Sequence, residues 1–248
     1  MNVTAIIPAR MAATRFPGKP LVDICGKPMI QWVYERATRA NAVNRVIVAT
    51  CDQEIADAVA SFGGEAVMTS DKHRSGTERL AEAAANLETD VVVNVQGDEP
   101  LIHPSAIDRA VEPFLQSDDV TMTSLMVPID SEAAKDPNTV KVVVDLDNYA
   151  LYFSRSSIPF ERNPLDDQSI YGHVGLYAYT RSFLLEYAAF DPTPLEKAES
   201  LEQLRVLEHG GRIKMVEIPD RPIGVDTQQD LQRVRELFET QRPAVTDN

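Results

Sequence analysis

Short apolar runs that alternate with helical periodicity constrain the fold of this chain more than any other feature. Residues 3–7 and 45–50 are runs rich in β-branched side chains, and residues 91–95 are apolar except for Asn94. Apolar residues at intervals of three and four, the spacing of an amphipathic helix, follow each of the first two runs and recur over 80–87, before the third. Strands that alternate with helices predict right-handed crossovers and a mainly parallel sheet. The sequence therefore predicts an α/β fold.

The pattern becomes less regular after about residue 120. The irregular stretch 153–171 is long enough to indicate a functional segment or an interface. Ser75 and Glu78 have the spacing of a capping box at the start of a helix. No repeat or linker forces a domain boundary, so we expect one domain over 1–248. The further predicted strands are 121–127, 140–144, 175–179 and 213–218, and the further predicted helices cover 195–204 and 231–238.

Charge and composition exclude several classes of protein. The formal net charge of −14 over 248 residues disfavours a nucleic-acid partner, because an acidic surface repels phosphate backbones. No apolar stretch approaches the ~20 residues of a membrane span, and no signal peptide is visible. The two cysteines, Cys25 and Cys51, lack metal-ligand spacing. We expect a cytoplasmic protein with no membrane partner.

The loop after the first predicted strand carries three cations in an acidic chain. Arg10, Arg15 and Lys19 lie in this loop together with Gly18 and two prolines. Ligands of open α/β sheets bind beyond the carboxyl ends of the strands. Backbone N–H groups and fixed positive charges in such a loop stabilise a bound triphosphate. The spacing is not that of a P-loop, and a solvated basic loop is an equal alternative.

Two acidic residues lie at positions that suit a magnesium ion. Asp98 follows the central predicted strand, and Asp226 precedes the last predicted helix. Magnesium is commonly held by one or two carboxylates plus substrate phosphates. A turn acid for Asp98 and a helix N-cap for Asp226 are the alternatives. A lone histidine such as His173 is usually structural, and no GxSxG, HExxH or GxGxxG motif is present.

Several segments together resemble one enzyme family over nearly the whole chain. They run in order from residue 6 to about residue 231. The segments are IIPARMAATRFPGKPL, GKPMI, SGTERLAEA, VVNVQGDEPLI, DPNTVKVVVD, ALYFSRSSIPF, HVGLYAYTRSFL, LEKAESLEQLRVLEHG and GVDTQQDL. The first loop is shared among sugar nucleotidyltransferases, whereas the later segments are more specific. Together they resemble the 3-deoxy-manno-octulosonate (Kdo) cytidylyltransferases, the CMP-Kdo synthetases of lipopolysaccharide synthesis.

The resemblance implies a Rossmann-like, GT-A-like nucleotidyltransferase fold with a β-rich insertion at roughly 145–190 that builds a homodimer. It implies CTP, an acidic sugar and Mg²⁺ as substrates and cofactor. Asp98 and Asp226 are then the metal ligands, and Arg15, Lys19 and Asp98 the catalytic residues. The implied nucleotide-binding residues are Pro8, Ala9, Arg10, Lys19, Arg74, Ser75 and Gly76. The implied sugar-binding residues are Arg79, Gln96, Tyr152, Arg155, His173, Glu202 and Gln203.

The resemblance implies in-line attack of the anomeric hydroxyl of the sugar on the α-phosphorus of CTP. Arg155 or Arg162 is a candidate partner for the sugar carboxylate, because a guanidinium binds a carboxylate with two bonds. Three alternatives stay open. The sugar could be the 8-amino analogue of Kdo or another acidic sugar, or the chain could be a sugar-1-phosphate nucleotidyltransferase. It could also be a non-catalytic nucleotide-binding protein on the same scaffold.

Overall fold

The computed structural model describes residues 1–12, 16–73, 75–163 and 170–241. A 3₁₀ turn at Lys19–Leu21 follows the first loop. The strands of the described residues are β1 Val3–Ala9, β2 Asp23–Ile24, β3 Lys27–Pro28, β4 Arg45–Thr50, β5 Ala66–Met68, β6 Val91–Asn94, β7 Met122–Ile129, β8 Lys141–Val144, β9 Ala150–Ser154, β10 Ile170–Thr180 and β11 Lys214–Glu217. The helices are α1 Met29–Thr38, α2 Gln53–Ser61, α3 Gly76–Ala84, α4 Pro104–Gln116, α5 Ser131–Lys135, α6 Arg181–Ala188, α7 Pro194–Glu199, α8 Leu204–Glu208 and α9 Gln228–Gln241.

The chain divides into two compact units that are interleaved along the sequence. The first, called the N-terminal unit, comprises Val3–Leu87, Asn94–Ser105 and the chain from Pro222. The second, called the central unit, comprises Met1–Asn2, Glu88–Val93 and Ala106–Arg221. The region predicted as an insertion, 145–190, lies wholly within the central unit, and the single-domain assignment stays a prediction.

The strands of the N-terminal unit pair in parallel, as the sequence predicts. β1 pairs in parallel with β4, and β4 pairs in parallel with β5. The buried residues of β1 and β4 form continuous apolar runs, as expected for strands covered on both faces. The Ser75 hydroxyl accepts a hydrogen bond from the Glu78 N–H and caps α3, which confirms the predicted N-cap.

The C-terminal helix α9 packs on the segment that follows the first loop. Its buried side chains include Leu231, Val234 and Phe238, which share one apolar cluster with Phe16 and Met29. This packing places helix α9 against residues near the start of the sequence. Helix α9 therefore fixes the residues just before it, including Asp226, close to the first loop.

The central unit is built around the long strand β10. β10 pairs antiparallel with β7 and β8, β8 pairs antiparallel with β9, and β11 pairs in parallel with β7. The β10–β7 register shifts between Val174 and Tyr177 at a β-bulge. The predicted strands 121–127, 140–144 and 213–218 correspond to β7, β8 and β11.

One predicted helix is wrong. The residues predicted as a helix over 195–204 form the separate helices α7 and α8. Ser200 ends α7 with a left-handed backbone, φ 53° and ψ 49°, which an α-helix cannot contain. In the part of the chain that the structure describes, no helix is both long and apolar enough to cross a bilayer.

Candidate functional site

A cleft of about 400 Å³ in the N-terminal unit is lined by residues that follow β1 and by residues 96–98. It brings together ten of the predicted site residues from distant parts of the sequence. Its wall also contains Phe16, Pro20, Met29, His73 and Gly97. The predicted site residues in its wall are Pro8, Ala9, Arg10, Lys19, Ser75, Gly76, Arg79, Gln96, Asp98 and Asp226.

The first loop contributes cations to one side of the cleft. Arg10 is exposed and lines the cleft, and Lys19 begins the 3₁₀ turn. Gly18 precedes Lys19 with a left-handed backbone, φ 73°, and donates its N–H to the Met11 carbonyl at 3.0 Å. A glycine suits this position because a side chain would strain the backbone. The predicted catalytic residue Arg15 lies outside the described residues.

Lys19 joins the two predicted metal ligands. Its ammonium donates to Asp98 Oδ2 at 2.6 Å and to the Val225 carbonyl at 2.9 Å, and lies 3.5 Å from Asp226 Oδ1. The Lys19 side chain is only 15% exposed, so its partners hold it in place. Two carboxylates and one cation therefore meet at the floor of the cleft.

Asp226 is not the N-cap of the last helix. Thr227 has that position, because the Thr227 hydroxyl accepts from the Asp230 N–H while Asp230 Oδ2 accepts from the Thr227 N–H at 2.8 Å. The Val225 N–H donates to the Asp98 carbonyl at 2.8 Å and aligns the two acidic segments. The Asp226 side chain stays 61% exposed and available to a ligand.

The donor chemistry of this pair fits a magnesium ion. Carboxylate oxygens are hard ligands, and Mg²⁺ is usually bound by one or two of them together with substrate phosphates and water. The position between Asp98 and Asp226 already attracts one cation, the Lys19 ammonium. Among the described residues, no group of three or more His, Cys, Asp or Glu side chains is arranged to hold a metal ion.

Helix α3 contributes its first two turns to the wall of the cleft. The predicted nucleotide residues Ser75 and Gly76 begin this helix and line the cleft. Arg79 is 4% exposed, donates to the Thr69 hydroxyl and donates to the Ser70 carbonyl at 3.3 Å. A Cβ at Gly76 would meet its nearest atom at 3.8 Å, so the protein itself does not require glycine there. Arg74 lies outside the described residues.

His73 also lines this wall, although the sequence pattern gave it no role. Its Nε2 bonds to Glu82 Oε2, and its Nδ1 lies 3.7 Å from Glu78 Oε2. Glu82 also accepts from the Ser70 N–H at 2.8 Å. The hydrogen bond with His73 lowers the pKa of Glu82. In the sequence, only the position of His73 two residues before the capping box could have indicated that it lies at this wall.

The backbone after β6 approaches the end of β1 closely. The Val95 N–H donates to the Ile6 carbonyl at 3.1 Å. A Cβ at Gly97 would lie 2.9 Å from the Pro8 carbonyl oxygen, a clash with backbone that cannot move easily. Glycine at 97 therefore permits the approach that sets Gln96 and Asp98 beside Pro8.

The other five predicted sugar residues lie in the central unit. Among them His173 is 6% exposed on β10. The Ser124 hydroxyl donates to the carbonyls of Val174 and Leu176, so His173 Nε2 donates to Ser124 Oγ at 2.9 Å. Burial, with a smaller contribution from Arg221, lowers the pKa of His173 to about 3. The imidazole is therefore neutral at pH 7.

Arg155 and Tyr152 are joined through Glu199. The Arg155 guanidinium donates to the backbone carbonyls of Glu199 at 2.7 Å, Pro137 at 3.1 Å and Ser200 at 3.4 Å. Burial and the Glu199 carboxylate raise the pKa of Tyr152. Glu199 has a lowered pKa because hydrogen bonds from Ser154, the Arg155 N–H and Tyr152 outweigh its burial. Arg155 thus organises the chain around this carboxylate.

Glu202 and Gln203 lie at the start of α8. Gln203 is 4% exposed. Behind them Arg205 makes two bonds to Glu196, and its Nη2 lies 3.9 Å from Glu202 Oε1. These bonds raise the pKa of Arg205 and outweigh its burial. The ion pair fixes α7 and α8 across the break at Ser200.

Comparison with known proteins assigns the chain to a protein family. A family model described as "Cytidylyltransferase" matches residues 4–215. A 3-deoxy-manno-octulosonate cytidylyltransferase of Geobacter sulfurreducens is 55% identical over 95% of this chain and 99% of the relative. One of Geotalea uraniireducens is also 55% identical, over 95% and 98%. The chain belongs to the 3-deoxy-manno-octulosonate cytidylyltransferase family.

A solved structure agrees with this assignment. It is a CMP:2-keto-3-deoxy-manno-octonic acid synthetase complexed with CTP, with a TM-score of 0.94, 43% identity, and coverage of 98% of this chain and 100% of that chain. The resemblance and the nucleotidyltransferase fold inferred from the sequence are thereby confirmed. The individual roles of the predicted Kdo cytidylyltransferase site residues stay predictions.

Proposed function

We propose that this chain transfers CMP from CTP to Kdo and releases pyrophosphate. The proposal is supported by the full-length match to Kdo cytidylyltransferases and by the likeness to a synthetase complexed with CTP. The observation that carries it is the floor of the cleft, where Lys19 joins Asp98 and Asp226 beside the first loop. Lipopolysaccharide synthesis and a cytoplasmic location stay predictions.

In the proposed reaction the anomeric oxygen of the sugar forms a bond to the α-phosphorus of CTP. The bond from this phosphorus to the oxygen that bridges the α- and β-phosphates breaks, pyrophosphate leaves with that oxygen, and the hydroxyl proton passes to water. Such transfers depend on positioning and charge neutralisation more than on covalent catalysis. We propose that Arg10 and Lys19, which line the cleft, bind the triphosphate and neutralise the charge that develops on pyrophosphate.

We propose that Asp98 and Asp226 hold Mg²⁺ when substrate is bound. A bound magnesium ion neutralises phosphate charge and lowers the pKa of a hydroxyl that contacts it. The protein contributes two carboxylates, fixed by Lys19 and by the bond between Val225 and Asp98. We assign His173 to sugar contact rather than to proton transfer, because a pKa of about 3 makes its imidazole a weak base.

The carboxylate of the acidic sugar needs a cationic partner. Three N–H groups of Arg155 already donate to backbone carbonyls, whereas Arg162 is exposed. We therefore favour Arg162 as the direct partner and Arg155 as the residue that organises the chain around Tyr152. Arg162→Lys should raise the KM for Kdo with the KM for CTP unchanged, because lysine lacks the two-bond geometry.

We also propose a homodimer formed through the region 145–190. Leu151 on β9 is 62% exposed, and Leu146 and Phe160, in the same region of the sequence, are 104% and 89% exposed. A second copy that covers these side chains would remove apolar surface from water. Light scattering should give twice the chain mass for the wild type and the single mass for Leu151→Asp with Phe160→Asp. Leu115→Asp on α4, 68% exposed and outside this region, is the control and should stay dimeric.

Pyrophosphate release tests the proposed function. The purified protein is mixed with Mg²⁺, CTP and Kdo, and parallel reactions contain UTP, the 8-amino analogue of Kdo or sialic acid. Release with CTP and Kdo supports the proposal. Release only with another acidic sugar keeps the chemistry and changes the substrate. No release with any sugar, although CTP binds, would favour a nucleotide-binding protein without activity.

A further inference from the structure

Asp52 occupies a helix N-cap without capping the helix. It follows β4, and its carbonyl accepts from the Ile55 N–H at 3.1 Å as α2 begins. Its extended backbone, φ −105° and ψ 119°, is that of an N-cap residue. Aspartate is favoured at this position because its carboxylate usually accepts from the N–H groups of the first turn. Here the side chain makes no such bond.

The carboxylate instead reaches the first loop. Asp52 Oδ2 accepts from the Met11 N–H at 2.7 Å, across 41 residues of sequence. The carbonyl of Met11 accepts from the Gly18 N–H at 3.0 Å. Both backbone polar groups of Met11 are therefore hydrogen-bonded, the N–H to Asp52 and the carbonyl to Gly18.

Met11 lies in the sequence between two cations that line the cleft, Arg10 and Lys19. Arg10 directly precedes Met11, and Lys19 directly follows Gly18. Asp52 is not among the residues that line the cleft, and its contact with the first loop is the bond to the Met11 backbone. A carboxylate beside a triphosphate-binding loop is electrostatically unfavourable for an anionic ligand. The hydrogen bond to the Met11 N–H explains why an aspartate stands at position 52 in spite of this repulsion.

We propose that Asp52 is a positioning residue that presets the first loop for the triphosphate of CTP. The inference rests on the proposed function. A loop that is ordered before the ligand arrives loses less conformational freedom on binding. Loss of the bond should therefore weaken CTP binding while leaving the helix and the rest of the unit folded.

Two substitutions separate this role from helix capping. Asp52→Ser keeps a good N-cap residue but shortens the side chain, so the hydroxyl does not reach the Met11 N–H. Asp52→Asn keeps an acceptor of the same length. Asp130→Ser is the matched control, because Asp130 is an N-cap whose carboxylate does cap its helix, accepting from the Ala133 N–H at 2.7 Å.

We expect Asp52→Ser to raise the Kd and the KM for CTP roughly tenfold, the usual effect of losing a bond to a charged acceptor. The KM for the sugar and the melting temperature should stay close to those of the wild type. Asp52→Asn should restore most of the CTP affinity, and Asp130→Ser should change none of these quantities. An unchanged Kd for CTP in Asp52→Ser, or a loss of affinity that only follows a fall in melting temperature, overturns the inference.

Hydrogen exchange of the Met11 amide without nucleotide provides an independent readout. The amide should be protected in the wild type and in Asp52→Asn, and should exchange faster in Asp52→Ser. Equal protection in all three proteins also overturns the inference. A wild type that neither binds CTP nor releases pyrophosphate contradicts the proposed function instead, and the exchange rates still decide whether Asp52 holds the loop.

Discussion

The Lys19 ammonium donates to the Asp98 carboxylate at 2.6 Å, between residues 79 positions apart. Asp226 approaches the same ammonium from the other end of the chain, at 3.5 Å. The cation keeps two carboxylates together that would otherwise repel each other. Contacts within the protein therefore hold together the pair that we propose as the magnesium ligands.

Asp98→Asn should abolish most turnover without unfolding the protein. The amide keeps the shape of the side chain but removes one charge from the metal-binding pair. Loss of several kcal/mol of metal stabilisation corresponds to a fall in kcat of about 100-fold or more. Pyrophosphate release at several Mg²⁺ concentrations measures the effect, and thermal unfolding checks the fold.

Asp118→Asn, at an exposed position, controls for the loss of one negative charge. It should leave the rate and its magnesium dependence unchanged. A rate near that of the wild type in Asp98→Asn would contradict the assignment of this carboxylate to the metal.

Gly97→Ala should destabilise the protein through one backbone contact. The added Cβ would lie 2.9 Å from the Pro8 carbonyl oxygen. Overpacking of this kind typically costs about 1–3 kcal/mol. Urea unfolding should show that loss, and turnover should fall because Gln96 and Asp98 move with the backbone.

Gly175→Ala is the matched control for this prediction. A Cβ at Gly175 meets no atom within 4 Å. Its free energy of unfolding should stay within about 0.5 kcal/mol of the wild type. Equal stability of the two variants would show that the backbone near Pro8 can move to make room for a side chain at position 97.

The sequence was most informative where local pattern and tertiary structure agree. The runs that became β1, β4 and β6 are buried and continuous, and α3 has its cap at Ser75. The rule that ligands bind at the carboxyl ends of strands led directly to Asp98 and the first loop. These features depend on neighbours in sequence, which is why they could be predicted.

Other features depend on contacts that sequence spacing does not encode. Helix α4 was not predicted, and it contains Pro113, which would normally indicate a helix end. The split between α7 and α8 arises from one left-handed serine at position 200. Asp52 has the pattern of a helix cap, and only the fold reveals that its carboxylate bonds to Met11.

Glu196→Gln should cost about 3–5 kcal/mol of stability, the usual effect of breaking a buried ion pair. Glu196 and Arg205 are only 13% and 8% exposed, so water screens their interaction little. The glutamine would leave the buried Arg205 charge without its hydrogen-bonded carboxylate, with Glu202 at 3.9 Å as the remaining acidic neighbour. Urea unfolding measures the change.

The surface pair Glu132–Lys135 is the control, with side chains 80% and 66% exposed. Glu132→Gln should change the free energy of unfolding by less than about 1 kcal/mol. Similar losses in the two variants would contradict a special role for the Glu196–Arg205 pair.

The buried His173 should make stability depend on pH. Its folded pKa is about 3, below the ordinary value of 6.5. Between these values the unfolded chain binds the proton and the folded protein does not, so the free energy of unfolding rises with pH. The contribution is complete above pH 6.5 and is lost as the pH falls toward 3. The slope of one such group approaches about 1.4 kcal/mol per pH unit.

Urea unfolding of the ligand-free protein at several pH values between about 5 and 7.5 tests this expectation. His173→Gln removes the titrating group but keeps an N–H that can donate to Ser124, so its stability should depend less on pH in this range. His103→Gln, at an exposed position, controls for the added glutamine. The comparison isolates His173 because the carboxylates, which titrate at lower pH, are common to all three proteins. Parallel curves for the wild type and His173→Gln would mean that the folded protein admits the proton at this site.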